Sequence, residues 1–195
     1  MYRETNTFGI KIFLPFLMFA SVLFADRDGG PYLGAGYGTS SFDDDSLYSE
    51  VKKDISQTAV FYAGAYINKH LSVELGHVRF NPLNLDDGYE VVNSSNAIQS
   101  ISFSATSINT LAHYAFFDDI LDFYAKFGVG EMDVRGAKRT GFDKLYGVGT
   151  AIRFNKHISV KLAYDMHNFE YIDTADSSKY NMKIHNIYSA MEVQF

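Results

Sequence analysis

The last nine residues of the chain constrain its fold more than any other stretch. In the segment Ile187–Phe195, apolar side chains stand at every second position apart from Ser189, and Glu192 falls on the other parity. The chain stops on an aromatic residue. Because successive side chains of a strand point to opposite faces, this alternation predicts a terminal β-strand with one apolar face and one mixed face.

The first 25 residues have the pattern of a secretory signal peptide. Basic residues occur early, and residues 12–25 form an apolar run of 14 that ends on a small residue, Ala25. That run is shorter than the roughly 20 residues a spanning helix needs, and it contains Pro15, so a permanent anchor is the weaker interpretation. We therefore expect cleavage near Ala25 and one mature domain over residues 26–195.

Composition excludes several classes of function. The net charge is −6, which argues against nucleic acid as a partner because phosphate neutralisation needs clustered Lys and Arg. The chain has no cysteine, so it has no disulfides and no thiolate metal sites. With 14 Tyr and 17 Phe it is rich in aromatics, yet no apolar run after residue 25 reaches helix-spanning length. A membrane protein of this composition has to span as a closed β-barrel, the other structure that satisfies every backbone group in lipid.

Two segments 87 residues apart repeat one another. The segment Asn68–Leu75 reads NKHLSVEL, and Asn155–Leu162 reads NKHISVKL. In the second copy, cross-strand partners share a face only if Phe154 lies opposite Ile158. This makes residues 155–157 a three-residue hairpin turn, and the same argument predicts a matching turn at residues 68–70.

The second hairpin has one apolar face and one charged face. Val160 and Leu162 follow the turn on the apolar side, whereas Arg153, Lys161 and Asp165 occupy the opposite side. In a soluble lipocalin-like carrier the apolar side would be the core, and in a transmembrane barrel it would face lipid. The signal sequence and the terminal strand favour the lipid-facing interpretation.

The same patterning predicts an all-β fold, an eight-stranded antiparallel up-and-down transmembrane β-barrel. An even strand number and short turns alternating with long polar loops are typical of such barrels. The predicted strands are Tyr32–Phe42, Thr58–Ile67, Leu71–Phe80, Ile101–Ala115, Phe123–Val134, Leu145–Phe154, Ile158–Phe169 and Met182–Phe195. Connections after the first, third, fifth and seventh strands are expected to be the longer ones.

Glycine supports the assigned faces. Nine of the 15 glycines fall on the predicted interior, where small residues make room for large ones in so narrow a barrel. In two predicted strands, the apolar residues do not keep to one alternation of inward and outward positions. A bulge near Thr106 in the fourth strand, and a similar switch above Asn186 in the eighth, are expected to reconcile their apolar positions.

With these residues in place, the mature chain resembles the small OmpA-like and OmpX-like outer-membrane barrels. Tyr32–Gly38, Leu71–Gly76 and Phe123–Gly130 are similar to the first, third and fifth strands of that family, and Phe195 to its terminal aromatic. The resemblance implies a porin-like barrel in the outer membrane of a Gram-negative bacterium. It also implies the barrel-insertion machinery as a partner in biogenesis. The chain ends at the barrel, so no peptidoglycan-binding role is carried over.

Charges of both signs are predicted on the interior face. Buried charges are costly unless paired, so a compensated salt-bridge plug is favoured over an ion path or gated pore. If Phe195 lay opposite Ile158, Glu192 would face Lys161. The predicted lumen charge network comprises Glu74, Lys126, Arg153, Lys161, Asp165 and Glu192.

No metal, cofactor or catalytic site is expected. Histidines at positions 70, 77, 113 and 157 lack zinc-ligand spacing. Acidic runs at residues 43–45 and 86–87 lack the EF-hand pattern and are interpreted as solvated loops rather than calcium sites. A lipid A-modifying enzyme would need His77 to approach Ser102 or Ser104 with a third orienting group, and no such motif is visible.

The predicted function is therefore non-enzymatic. We expect a monomeric barrel with an envelope-structural or surface-interaction role, in contact with outer-membrane lipid and lipopolysaccharide. The alternative is an adhesin whose extracellular loops bind a host or cell-surface ligand. One basic loop, with Arg135, Lys138 and Arg139, offers cations to lipopolysaccharide phosphates, although a solvated loop explains it equally well.

Overall fold

Eight long strands and one short strand make up the fold in this computed structural model. The structure describes residues 29–43, 55–84, 100–117, 119–135, 139–172 and 179–195. The signal-peptide prediction, Asp44 and Asp45, Asp86 and Asp87, and Lys138 lie outside these residues. The strands are β1 (Gly30–Asp43), β2 (Ile55–Asn68), β3 (Leu71–Phe80), β4 (Leu83–Asn84), β5 (Ser100–Phe116), β6 (Leu121–Arg135), β7 (Arg139–Arg153), β8 (Ile158–Ile172) and β9 (Lys179–Gln194).

The long strands close into an antiparallel barrel. Each pairs with its neighbour along the chain, β9 pairs with β1, and β3 pairs directly with β5. β4 adds only Leu83 and Asn84 to the edge of β5. The predicted eight-stranded antiparallel barrel is therefore confirmed. Closure pairs each long strand on both sides through the middle of the barrel, which is the condition for placing strands in lipid.

Side chains alternate between the barrel interior and its outer surface. In β8, Lys161, Ala163 and Asp165 are buried, whereas Leu162 and Tyr164 between them are exposed. Most strands show the same alternation, with large apolar side chains such as Phe61 and Phe127 exposed on the outside. This pattern is typical of a barrel whose outer face contacts lipid.

Two ends of the barrel can be distinguished. The turn end carries the connections at residues 69–70, 117–120 and 154–157, together with Gly30 and Phe195, which lie next to them in the register. The opposite end, here called the loop end, carries the remaining connections. β6 and β7 extend to Arg135 and from Arg139, so only residues 136–138 separate them. A long loop was predicted after the fifth strand, which is β6. That prediction was wrong, because β6 and β7 stay paired up to Val134 and Arg139, through residues predicted to form the loop.

Both repeat copies form asparagine-anchored turns, and their strands share one register, since Tyr66 pairs with Ser72 as Arg153 pairs with Ser159; they differ only at the pair next to the turn. The backbone N–H groups of His157 and Ile158 both donate to Asn155 Oδ1 at 2.8 Å, and the His70 N–H donates to Asn68 Oδ1 at 2.8 Å. Such side-chain bonds replace backbone bonds in tight turns. The Phe154 N–H donates to Ile158 O at 2.9 Å, as the three-residue turn requires. In the first copy the register shifts, and Asn68 pairs with Leu71.

β5 and β9 keep one phase along their whole length. Their pairings run without a shift, so neither the bulge expected near Thr106 nor the switch above Asn186 exists. Phe103 and Ala105 of β5 are buried inside the barrel, as is Ile184 of β9. The expectation failed because the interior is itself apolar near the loop end, so apolar residues there do not mark the lipid face.

Glycines that face the lumen leave room for large side chains on the neighbouring strands. An ideal Cβ at Gly34 would overlap the Tyr62 ring, and one at Gly64 would overlap the Tyr32 ring. At Gly38 a Cβ would meet the backbone of β9, with Tyr188 Cα at 2.6 Å, as well as the Tyr188 Cβ at 2.6 Å. The tyrosines therefore occupy space that only glycine leaves open on the facing strand.

Candidate functional site: the barrel lumen and outer wall

The middle of the lumen is organised around Lys126 of β6. Its Nζ donates to Asp165 Oδ2 and to Tyr188 Oη, each at 3.0 Å, and lies 3.4 Å from Glu74 Oε1. Asn109 Nδ2 donates to Glu74 Oε1 at 3.3 Å. The Lys126 side chain is only 3% exposed. One buried cation thus holds two carboxylates from opposite parts of the wall, which is the compensation a buried charge needs.

Lys161 of β8 forms a second centre nearer the turn end. It makes an ion pair with Glu192 of β9. Its Nζ also lies over three tyrosine rings, at 5.0 Å from the centroid of Tyr32, 4.8 Å from Tyr62 and 5.4 Å from Tyr124. The faces of aromatic rings attract cations, and the attraction grows where water is excluded. The positive charge of Lys161 is therefore stabilised by three tyrosine rings together with one carboxylate.

The Lys161–Glu192 contact arises from a register other than the expected one. Ile158 lies opposite Val193, not opposite Phe195, so Lys161 is paired across the strands with Ala190 and Glu192 with Ser159. The register prediction was wrong by two residues. The lysine nevertheless reaches the carboxylate diagonally, because a long side chain spans the distance to the next inward position.

All six charged residues assigned to the lumen face the interior. Arg153 lies at the turn end, where its Nη1 donates to Gln194 Oε1 at 2.9 Å and its guanidinium lies 5.9 Å from the centre of the Tyr66 ring. Tyr32 links the two lysine centres, since its hydroxyl donates to Glu74 Oε2 at 3.4 Å and its ring lies under Lys161.

Two further buried pairs were not anticipated. His113 Nδ1 lies 2.8 Å from Asp122 Oδ2 near the turn end, and His167 Nδ1 lies 2.6 Å from Asp143 Oδ2 nearer the loop end. Both carboxylates fall in predicted connecting loops, because β6 and β7 begin earlier than the predicted strands Phe123–Val134 and Leu145–Phe154. The inward parity of His113 in β5 would have revealed the first pair once β5 was given a single phase.

Above the polar centre, the lumen becomes aromatic towards the loop end. The phenylalanine cluster consists of Phe42, Phe80, Phe103 and Phe169. Ring centroids lie 5.3 Å apart for Phe42 and Phe103, and 6.2 Å apart for Phe103 and Phe169. The Phe80 ring meets His167 at 5.7 Å. The described lumen therefore changes from charged and tyrosine-rich to apolar along the barrel axis.

The other histidines and serines considered as site residues are dispersed. His70 and His157 lie in the two repeat turns and approach the backbone carbonyls of His113 at 3.4 Å and Gln194 at 3.0 Å. His77 faces outward and shares a hydrogen bond of 2.9 Å with Thr106 Oγ1 rather than with a serine. Among the residues that the structure describes, no group of three or more His, Asp or Glu side chains is arranged to hold a metal ion.

The outward face of β3, β5 and β6 carries a polar groove near the loop end. Its volume is about 420 Å³. The groove is lined by seven residues of outward parity, His77, Arg79, Ser102, Ser104, Thr106, Glu131 and Asp133, and at its base by Phe103, which is buried towards the lumen. Ser102 lies beside Arg135 in the register, and Val134 lies beside Arg139. The positions of the Arg135 and Arg139 side chains lie outside the described part of the structure.

Comparison with known proteins identifies the fold independently. The family model for the outer membrane protein beta-barrel domain matches residues 12–195. No curated protein sequence matches the chain. Within the described residues, no helix is long and apolar enough to cross a membrane.

Three solved barrels are similar in structure at low sequence identity. The Neisserial surface protein A aligns with a TM-score of 0.61 at 11% identity, covering 85% of this chain and 97% of that one. Ail of Yersinia pestis, the attachment invasion locus protein, was solved with a heparin analogue. It gives 0.54 at 12%, covering 86% and 99%. OprG of Pseudomonas aeruginosa gives 0.50 at 12%, covering 88% and 99%. At such identities the likeness concerns the fold.

Proposed function

The chain belongs to the outer-membrane protein β-barrel family, and from this membership we propose that it is a closed, non-conducting barrel with a non-enzymatic role in the outer membrane. Its structural part is to add a rigid, sealed cylinder to the membrane. Its surface part is to present the connections of the loop end to the exterior. The observation that carries the proposal is the filled lumen.

The lumen is filled by side chains that hold one another. Lys126 and Lys161 are 3% and 2% exposed, and each contacts a carboxylate from another strand. The phenylalanine cluster follows at the loop end. An eight-stranded barrel is only just wide enough for its side chains, so this arrangement supports a plug rather than a channel.

Planar-bilayer recording tests the sealed lumen. The purified chain is expected to give no stable unitary conductance at any applied voltage. Steady single-channel steps would contradict the proposal. A control variant with Lys126→Ala and Tyr188→Ala removes two lumen side chains, and we expect it to leak more than the parent chain.

The orientation is part of the proposal, with the turn end in the periplasm and the loop end outside. Because the chain has no cysteine, single cysteines can report each side. We expect Ser177→Cys, between β8 and β9, to react with a membrane-impermeant maleimide on intact cells. Lys156→Cys in the second repeat turn should react only after lysis. The reverse pattern would refute the orientation, and recovery of the chain in the soluble periplasm would refute the membrane location.

A second candidate function is adhesion through the loops. The fold is similar to that of Ail, the attachment invasion locus protein of Yersinia pestis, which was solved in complex with a heparin analogue. Loop-swapped variants of the purified chain distinguish the candidates. An adhesin loses cell binding when its loops are exchanged, whereas a purely structural barrel retains its envelope phenotype.

Lipopolysaccharide is the proposed lipid partner. Arg135, Lys138 and Arg139 supply cations beside the loop end, and charge-assisted bonds to phosphate are strong. Replacing all three with Ser should lower the lipopolysaccharide that co-purifies with the barrel. An unchanged amount would show that this loop contributes nothing.

A further inference from the structure

A polar patch interrupts the apolar outer wall on β3, β5 and β6. Strand pairing aligns Arg79, Ser104 and Asp133 in one row, and His77, Thr106 and Glu131 in the next. The next row towards the turn end is apolar, with Leu75 beside Ile108 and Ile108 beside Val129, and all three are exposed. The patch therefore begins where the lipid-facing belt ends.

The wall itself is interrupted at this point. Pairing between β3 and β5 stops at Arg79 and Ser104, and resumes only where Leu83 of β4 meets Ile101. The end of β3 turns towards β2 instead, since the Asn81 N–H donates to Gln57 O at 2.8 Å. The groove of about 420 Å³ lies at this gap. Its size is in the range of small-ligand sites.

The groove combines one guanidinium with several hydroxyl and carboxylate groups. Arg79 is exposed and forms no ion pair within the described part of the chain. Arg recognises phosphate by two parallel hydrogen bonds. Glu131 and Asp133 lie on the β6 side of the groove and are exposed. Carboxylates accept hydrogen bonds from hydroxyl groups, which phosphate lacks and sugars provide.

We propose that this groove binds the phosphorylated sugar headgroup of a glycolipid in the outer leaflet. Arg79 contacts the phosphate, Glu131 and Asp133 accept from sugar hydroxyls, and the acyl chains lie along the apolar row formed by Leu75 and its neighbours. The inference rests on the proposed orientation, with the loop end in the outer leaflet. It places the lipid contact on the barrel wall, beside the basic loop rather than within it.

Native mass spectrometry of the folded, full chain in detergent tests the proposal. The probe is bisphosphorylated lipid A, and the comparison probe is the same lipid after removal of its phosphates. We expect Arg79→Gln to weaken binding of the phosphorylated lipid about tenfold, which corresponds to about 1.4 kcal/mol for one lost charged contact. Lys183→Gln, which removes one cation from β9 on the opposite side of the barrel, should change it less than twofold.

Three outcomes would overturn the proposal. Equal losses for Arg79→Gln and Lys183→Gln would indicate diffuse charge attraction. Equal binding of lipid A with and without its phosphates would show that Arg79 does not contact the phosphate. Tighter binding by Glu131→Gln would mean that this carboxylate repels phosphate instead of accepting from a sugar.

The source of the headgroup is tested separately. Free glucosamine 1-phosphate, added at the same concentration as lipid A, should not displace the lipid from the groove. Full displacement would show that the groove binds a soluble sugar phosphate. Heat-modifiable migration verifies that each variant is folded. A folded, membrane-located barrel that fails to bind lipid A refutes this inference alone, whereas loss of the outer-membrane location refutes the proposed function.

Discussion

Replacing Lys126 with Met should destabilise the barrel by several kilocalories per mole. The substitution keeps a chain of similar length but removes the one positive charge shared by Glu74 and Asp165. The lysine side chain is 3% exposed and the carboxylate side chains 2% and 5%. Water therefore has little access with which to solvate the two anions left behind.

The magnitude follows from the geometry. The two carboxylate oxygens lie 3.4 and 3.0 Å from the same nitrogen, so they are at most about 6.4 Å apart. With an effective dielectric constant of about 20, the two carboxylates repel each other by at least about 2.6 kcal/mol, which the lysine offsets in the parent chain and nothing offsets in the variant. Two hydrogen bonds that the lysine donates, to Asp165 and Tyr188, are also lost, at about 1 kcal/mol or more each. The sum agrees with the roughly 3–5 kcal/mol typical of breaking a buried ion pair from one side.

Urea unfolding from lipid vesicles, with the folded fraction scored by unheated gel migration, measures this loss. The chain has no tryptophan, so the gel assay is preferable to tryptophan fluorescence. Lys144→Met, on the outer face of β7, serves as the control and should cost less than about 1 kcal/mol. The triple variant with Lys126→Met, Glu74→Gln and Asp165→Asn should recover at least half of the loss. A single variant as stable as the parent chain would refute the network as a source of stability.

Three further changes test other parts of the wall. Gly38→Ala should abolish or strongly reduce folding, scored by gel migration, because the new Cβ meets the β9 backbone. Gly76→Ala is the control and should fold, since the nearest atom to its Cβ is a side-chain nitrogen at 3.0 Å. Tyr188→Phe should cost about 1–2 kcal/mol in the urea assay, because its hydroxyl contacts a lysine and a carboxylate at 3.0 and 3.1 Å. Phe195→Ala should slow assembly in cells, followed by pulse-labelling, yet leave the unfolding free energy within about 1 kcal/mol.

The barrel and its strand number could be predicted because the outer face is mostly apolar near the turn end. There, period-two alternation separates lipid-facing Leu162 from inward Lys161. The same rule fails towards the loop end, where Phe103 and Ile184 are inside. Alternation indicates which residues share a face, but it cannot tell an apolar lumen from lipid once both faces carry apolar residues.

The charged residues of the lumen could be assigned to a face but not to partners. Parity placed Lys126 inside, but only the register shows that it meets Glu74 and Asp165 from β3 and β8. The approach of His77 to Ser104 follows from the predicted up-and-down order, which pairs β3 with β5. The groove also takes Glu131 and Asp133 from β6, and no signal in the sequence indicated this combination.

Because the turn segment is duplicated, the folding chain must place each copy of the hairpin in its own position in the barrel. The β2–β3 and β7–β8 hairpins lie in opposite walls of one cylinder, and their turn segments match at six of eight positions. Glu74 and Lys161 occupy equivalent positions in the two copies and point into the same lumen. Exchanging the hairpins would bring Glu74 beside Glu192 and leave Lys161 beside Lys126. The inverted charge therefore favours the wall that each copy occupies and disfavours the exchanged arrangement.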